Sequence, residues 1–230
     1  PYQLAPEIEQ MIAERAPTGS AAWVRLFDET TTSMRFPFQG REVTEAEILD
    51  ALSHQEADVR AAAGQSLSTT LKSHERLLSL TLNTIAKDKQ IEDGWRGFNR
   101  PVASRNLAND VDDEVVDALV AAVNGRNADL THRYYQLKAK WMGVKQLNWW
   151  DRNAPLPGDD DRQFSWDEAR HIVLDAFAGF DPKMAEIAAP FFNNNWIDAA
   201  PRAGKSSGAF SHPVVPSAHP YILMNFAGKS

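Results

Sequence analysis

The chain has 230 residues, 43% hydrophobic and 24% charged, which suits one large domain or two small ones with a real core. A net charge of −7, from 24 Lys and Arg against 31 Asp and Glu, with no basic run, excludes the electrostatic footprint that a phosphate backbone requires, so nucleic acid is not an expected partner. The absence of cysteine excludes disulfides, thiolate catalysis and Cys-held metals and agrees with a cytoplasmic protein, and no apolar run approaches a membrane span.

From Leu4 to Ala16, Leu4, Ile8, Met11 and Ile12 recur at helical spacing, and Pro17 and Gly19 break the pattern. A second helix begins near Ser20, with Trp23, Leu26 and Phe27 on one side. Met34 to Phe38 alternates, turns at Gln39-Gly40 and returns through Val43, the pattern of a small β-hairpin near residues 33–43. Thr44 with Glu47 forms a capping box that starts a helix, and Ser53 with Glu56 repeats the box. Val59, Ala63, Leu67, Leu71, His74, Leu78, Leu82 and Ile85 then mark one long helix, a continuous stripe of about 40 Å at 1.5 Å per residue.

Beyond Trp95 to Pro101, a helix is expected from Asp112 to Asn124, ended by Gly125, and another through Tyr134, Leu137 and Trp141, ended by Gly143. The aromatic Trp149-Trp150 crossing and a loop with Asp159 to Asp161 follow. Ser165 with Glu168 caps the next helix. Asp181-Pro182 opens the last, which runs through Phe191 and Phe192 towards Trp196-Ile197-Asp198-Ala199.

The final stretch changes character. Ala209-Phe210 and Tyr221 to Phe226 are aromatic and β-branched runs bounded by Gly and Pro, which predicts a small sheet near residues 206–226. Pro213, Pro216 and Pro220 cannot donate to a ladder, so the strands are short and one lies at an edge, where an extended peptide can pair by main-chain hydrogen bonds. The fold class is therefore mainly α, a multi-helix scaffold over residues 1–203 with a small β region over 204–230 in the same domain.

Candidate metal chemistry is thin. Zinc peptidases place two His at i and i+4 with a Glu between; His74-Glu75 opens such a pattern, but Leu78 ends it, and a hydrogen-bonded core histidine on the apolar stripe is expected. Glu168-x-x-His171 has the spacing used in di-iron bundles, with only Asp129-x-x-His132 as a second motif, so a di-iron helical enzyme is a minor alternative and an exposed helix face the plainer reading. The two Gly-Lys-Ser triplets, at 204–206 and 228–230, have Ala199 and Leu223 where a phosphate loop needs its first Gly. The acidic runs Asp110 to Glu114 and Asp159 to Asp161 lack the Gly and closing Glu of a calcium loop.

Gly204-Lys205-x-Ser207-Gly208-Ala209-Phe210, followed by His219-Pro220-Tyr221-Ile222-Leu223-Met224-Asn225-Phe226-x-Gly228-Lys229, resembles the segment just upstream of the zinc motif in oligoendopeptidase F, a thimet-type zinc metallopeptidase. Arg96-Gly97-Phe98 with Pro101 and Arg105, Tyr134 to Gly143, Asp151-Arg152 with Ala154-Pro155, Phe191 to Ala199 and the opening stretch extend the likeness from about Leu4 onward. The resemblance implies a zincin-like oligopeptidase that hydrolyses internal bonds of short peptides in a deep channel. The zinc and its His-Glu-x-x-His helix would lie beyond Ser230, in a catalytic portion of the same enzyme that is the chain's expected partner besides the peptide. This stretch, expected to be internal and cut at both ends, would then bind no metal and cut nothing alone. A non-catalytic peptide-binding or scaffold protein is the alternative. Helix faces that meet the rest of the enzyme would be exposed and apolar, although the oligomeric state is not fixed by the sequence. Matched to the family's cleft strand, Gly208, Ala209 and Phe210 are the substrate-binding candidates, with His219 and Tyr221 added by proximity. Gly208 serves equally as a turn residue.

Overall fold

The computed structural model describes residues 2–158 and 162–228. It is mainly helical with two small sheets, as the sequence predicts. The chain divides into two compact units, one of Pro1–Thr31 with Ser68–Arg152 and one of Thr32–Leu67 with Asn153–Ser230. No helix among the described residues is long and apolar enough to cross a membrane.

The first unit opens with α1 (Pro6–Arg15), whose Pro at the first helical position lacks only an N–H that would be an orphan anyway. It continues into α2 (Ser20–Ser33). The hairpin β1 (Phe36–Phe38) and β2 (Arg41–Val43) and helix α3 (Glu45–Ala51) belong to the second unit, and α4 (Ala57–Ser73) follows. Back in the first unit are α5 (Glu75–Arg96), α6 (Ala103–Ala108), α7 (Asp113–Asn127) and α8 (Arg133–Trp141). The single long helix expected from Val59 to Ile85 is two helices, α4 and α5, parted at His74, which leaves helical geometry at φ −102° and ψ 2°. The apolar period survives this break, and Leu82, expected on the buried stripe, is 68% exposed. The ring Nδ1 of half-buried His74 lies 3.0 Å from the Thr70 carbonyl and 3.0 Å from the Ser73 hydroxyl, the hydrogen-bonded state expected of it.

Gly125 does not end α7. The helix passes through it and joins α8 by one wider turn at Ala128–His132, because no αL residue interrupts the hydrogen-bond ladder. Gly143 does end α8, at φ 68°, with the Val144 N–H donating to the Ala139 carbonyl at 3.0 Å. Several large apolar side chains here face outward, among them Leu119 (63%) and Leu130 (56%).

The end of α5 is tied to the start of the chain. Arg96 forms a two-pronged pair with Glu9 at 2.7 and 2.9 Å, Glu9 also accepts from the Leu4 N–H at 3.0 Å, and Tyr2 stacks on Phe98 at 4.1 Å. The Arg96 hydrogen bond, then the Leu4 N–H, hold the Glu9 carboxyl down from its ordinary 4.5 to about 2. A depressed carboxyl contributes stability that is complete above the ordinary value and lost as pH falls towards the folded one. Acidification from about 4.5 to about 2 is therefore expected to release α1 from α5. Arg96→Met should raise the Glu9 carboxyl towards the ordinary range, with the Leu4 N–H still holding it somewhat below, which an NMR titration of its side chain measures.

In the second unit, Phe36 and Val43 face each other across the hairpin, and with Met34, Ile48 and Ala63 they are buried. The turn at Gln39-Gly40 has φ of 50° and 79°, the doubly positive geometry that fits hairpin twist. The Thr44–Glu47 capping box is present, but the Ser53–Glu56 box is not. The helix starts later, at Ala57, and in the loop before it the His54 Nδ1 accepts from the Glu56 N–H at 3.0 Å, while buried Arg60 donates to the carbonyls of His54 (2.8 Å) and Gln55 (2.6 Å) and fixes the loop. Later come α9 (Trp166–Phe180), capped by Ser165 and Glu168, and α10 (Pro182–Asn193), capped by Asp181. The loop expected at Asp159 to Asp161 lies outside the described residues.

The second sheet contains β3 (Ile197–Asp198), β4 (Phe210–His212) and β5 (Tyr221–Leu223) in the order β3-β5-β4. The sequence offers no strand for Ile197 and Asp198, only a helix running towards them. They form instead a two-residue strand parallel to β5, a pairing with partners some 25 residues away that no local pattern announces.

Candidate functional site: a free strand edge

The geometry of β4 follows from the amides of β5 and the residues after it. The N–H groups of Ile222, Met224 and Phe226 donate to the carbonyls of Trp196, Asp198 and Ala199 at 3.0, 3.0 and 2.9 Å, so every second amide points to β3 and its extension. Tyr221 and Leu223, alternating with them, turn towards β4, where they oppose His212 and Phe210 in antiparallel register. Ser211, between those two, has its N–H and C=O turned away from β5. No strand flanks β4 on that side among the described residues, and Phe210, Ser211 and His212 are all exposed. Two residues on, the next outward position is Pro213, which has no N–H. Ser211 is thus an isolated donor–acceptor pair on a short edge, open to one extended peptide yet a poor template for sheet growth.

The expected binding residues fall around this edge. Phe210 is in β4, but its main chain faces β5, and what it offers outward is a ring that is 55% exposed. Gly208 sits at φ 92°, a turn conformation that favours glycine, and its carbonyl already accepts from the Asn225 Nδ2 at 3.0 Å. Ala209 is exposed and directly precedes the strand. Tyr221 pairs with His212 across the sheet and is half exposed. His219 is part of an aromatic stack, its ring parallel to Trp196 at 3.4 Å and edge-on to Tyr221 at 4.5 Å, with Trp196 edge-on to Phe191 at 5.3 Å. Sequence reasoning missed Ser211, because which side of a strand is free depends on the order of strands in space.

It also missed Lys205. In a Gly- and Ser-rich loop a lysine reads as solvated, yet this side chain is 1% exposed. Its Nζ donates to the Asp198 carbonyl (2.9 Å) and carboxylate (3.1 Å), the Ala200 carbonyl (3.0 Å) and the Met224 carbonyl (2.6 Å). The Arg202 guanidinium, at 2.6 and 2.8 Å, and then Lys205 hold the Asp198 carboxyl down to about 2. Below the sheet, Trp166 packs against Phe192 at 5.6 Å and Phe226 at 5.2 Å. The Gly228 carbonyl accepts from the Phe164 N–H at 2.8 Å, in a spot where a Cβ would lie 3.1 Å from the Phe164 carbonyl.

The candidate metal residues are occupied otherwise. Glu168 accepts from the Ser165 N–H and hydroxyl at 2.8 and 2.9 Å, and the His171 Nδ1 lies 2.6 Å from the Asp167 carbonyl. Among the described residues no group of three His, Asp or Glu is placed to hold one metal ion. Trp149 and Trp150 meet edge to face at 5.8 Å.

The sequence model of the Oligopeptidase F family matches residues 1–36. Oligopeptidase PepF of Bacillus subtilis is 25% identical over 186 residues, covering 81% of this chain and 28% of that protein. Group B oligopeptidase PepB of Streptococcus agalactiae is 27% identical over 217 residues, covering 92% of this chain and 36% of its own length. The chain thus spans about a third of the curated relatives it matches. Among solved structures, PZ peptidase A with an inhibitor superposes with a TM-score of 0.87 at 17% identity, covering 100% of this chain and 41% of that one. Oligoendopeptidase-F from Enterococcus faecium gives 0.61 at 19%, covering 84% and 38%. Sequence likeness over most of the chain and a shared fold agree: the chain is homologous to the oligoendopeptidase F peptidases.

Proposed function

We propose that this chain is the scaffold and one wall of the substrate channel in a longer, cytoplasmic, zinc-dependent oligoendopeptidase that cuts internal bonds of short peptides. The observation that carries the reading is the outward-facing Ser211 edge of β4 within a fold shared with peptidases. A peptide laid along it receives one hydrogen bond from the Ser211 N–H and gives one to the Ser211 carbonyl. Continuing the alternation one step back turns the Ala209 main chain to the same outward edge, and its small side chain adds little bulk beside a second backbone there. Main-chain pairing holds a substrate extended while demanding little of its sequence, which suits an enzyme limited by peptide length. The described residues do not fit a zinc site, so in this reading the metal and its ligands belong to the rest of the enzyme, and no catalytic step is assigned to these side chains.

The full-length protein tests this directly. It is expected to cleave an internally quenched peptide, to lose that activity to a chelator and to recover it with zinc. Binding of the peptide without cleavage would instead favour a non-catalytic peptide-binding protein.

A further inference from the structure

We propose that Lys205 is a positioning residue for the peptide edge: its ammonium sets the register in which β4 meets β5, and so decides which main-chain groups face outward. This inference rests on the reading of β4 as a peptide-binding strand.

A strand of three residues holds its register weakly, and a slip of one residue exchanges its inward and outward groups. One direction of slip is closed by β4 itself, since it would bring Pro213, which has no N–H, opposite Tyr221, where the ladder needs a donor. The other direction would set Ala209 opposite Leu223 and turn the Ser211 main chain inward. Nothing within β4 forbids that.

Lys205 lies midway along the connection from β3 to β4. Its acceptors come from β3, from the turn after it and from the residue following β5. A compact tetrahedral ammonium with three donors gathers these converging acceptors at one enclosed point, where the larger planar fork of Arg does not match their arrangement. Asn225 adds a second clasp, its Nδ2 donating to the carbonyls of Ser206 and Gly208, each at 3.0 Å. With residues 205, 206 and 208 held, too little slack remains before Phe210 for the strand to move.

The test uses Lys205→Met, Lys205→Arg and Asn225→Ala in the full-length enzyme, with Ser211→Pro alongside. If the competent register falls to about a tenth of the population, apparent affinity falls in proportion, so Lys205→Met should raise KM about tenfold with kcat within about twofold. Lys205→Arg should not rescue it. Hydrogen exchange should show the Ser211 amide, open in the parent protein, gaining protection as it turns inward. Asn225→Ala should raise KM in the same direction, and it decides the matter should Lys205→Met fail to fold. An unchanged KM in a folded Lys205→Met, or in Asn225→Ala if that variant must decide, overturns the inference, as does a loss in kcat alone or full activity in Lys205→Arg. If those results come with a raised KM in Ser211→Pro, only the role of Lys205 is lost; if Ser211→Pro is also silent, the peptide-edge reading falls with it.

Discussion

Phe36→Ala is expected to cost about 3–5 kcal/mol of stability, the range for truncating a fully buried aromatic side chain. Phe36 is 1% exposed, faces Val43 (1%) across the hairpin and shares the second unit with Ile48 (0%) and Ala63 (0%), which are among the few apolar side chains there so fully enclosed. The loss has two parts, the transfer of the ring back to water and the void it leaves. The hairpin cannot close that void, because its turn at Gln39-Gly40 and the Thr44 cap fix both ends of β2. A urea denaturation curve with a lowered midpoint and an unchanged slope would confirm it. A loss below about 1 kcal/mol would mean that the site collapses freely and is no core.

The features of this fold that were legible in sequence are those whose chemistry is local. Thr44 with Glu47 and Ser165 with Glu168 announce helix starts because donor and acceptor lie within three residues, and both boxes are present, while Asp181 caps the helix that Pro182 opens by accepting from the Lys183 N–H. Gly143 and the Gln39-Gly40 turn were readable because positive φ selects a short list of residues. What was hidden is non-local. The break at His74 interrupts the backbone but not the apolar period across it. Ser53 does not open a helix, because α4 starts only at Ala57, after a loop tied by His54 and by Arg60, six residues on. Ile197-Asp198 becomes a strand only because Ile222-Leu223 lies beside it. The resemblance pointed to the strand β4, but which main-chain groups within it are exposed, and the buried lysine in the connection to it, depend on the order β3-β5-β4, which no spacing encodes.

The same strand order makes Ser211→Pro the sharpest probe of function. Proline in a strand normally breaks the ladder, but the Ser211 N–H faces away from β5, and edge positions of that kind accept proline. The full-length variant should therefore fold, with β5 still paired to β3 and with unchanged exchange at Tyr221 and Leu223. If β4 pairs with substrate as proposed, the variant loses the donor offered to the peptide, and the peptide carbonyl that met it is left without a partner, a cost of about 1–3 kcal/mol. That corresponds to a fall of about 5- to 150-fold in kcat/KM for a quenched peptide. Ser211→Ala, which keeps the main chain and removes only the hydroxyl, should behave as the parent enzyme does. Phe210→Pro should instead disrupt the sheet, since the Phe210 N–H faces Leu223. A folded Ser211→Pro enzyme with parental kinetics would show that substrate passes elsewhere, and that the open edge of β4 is only the end of a small sheet.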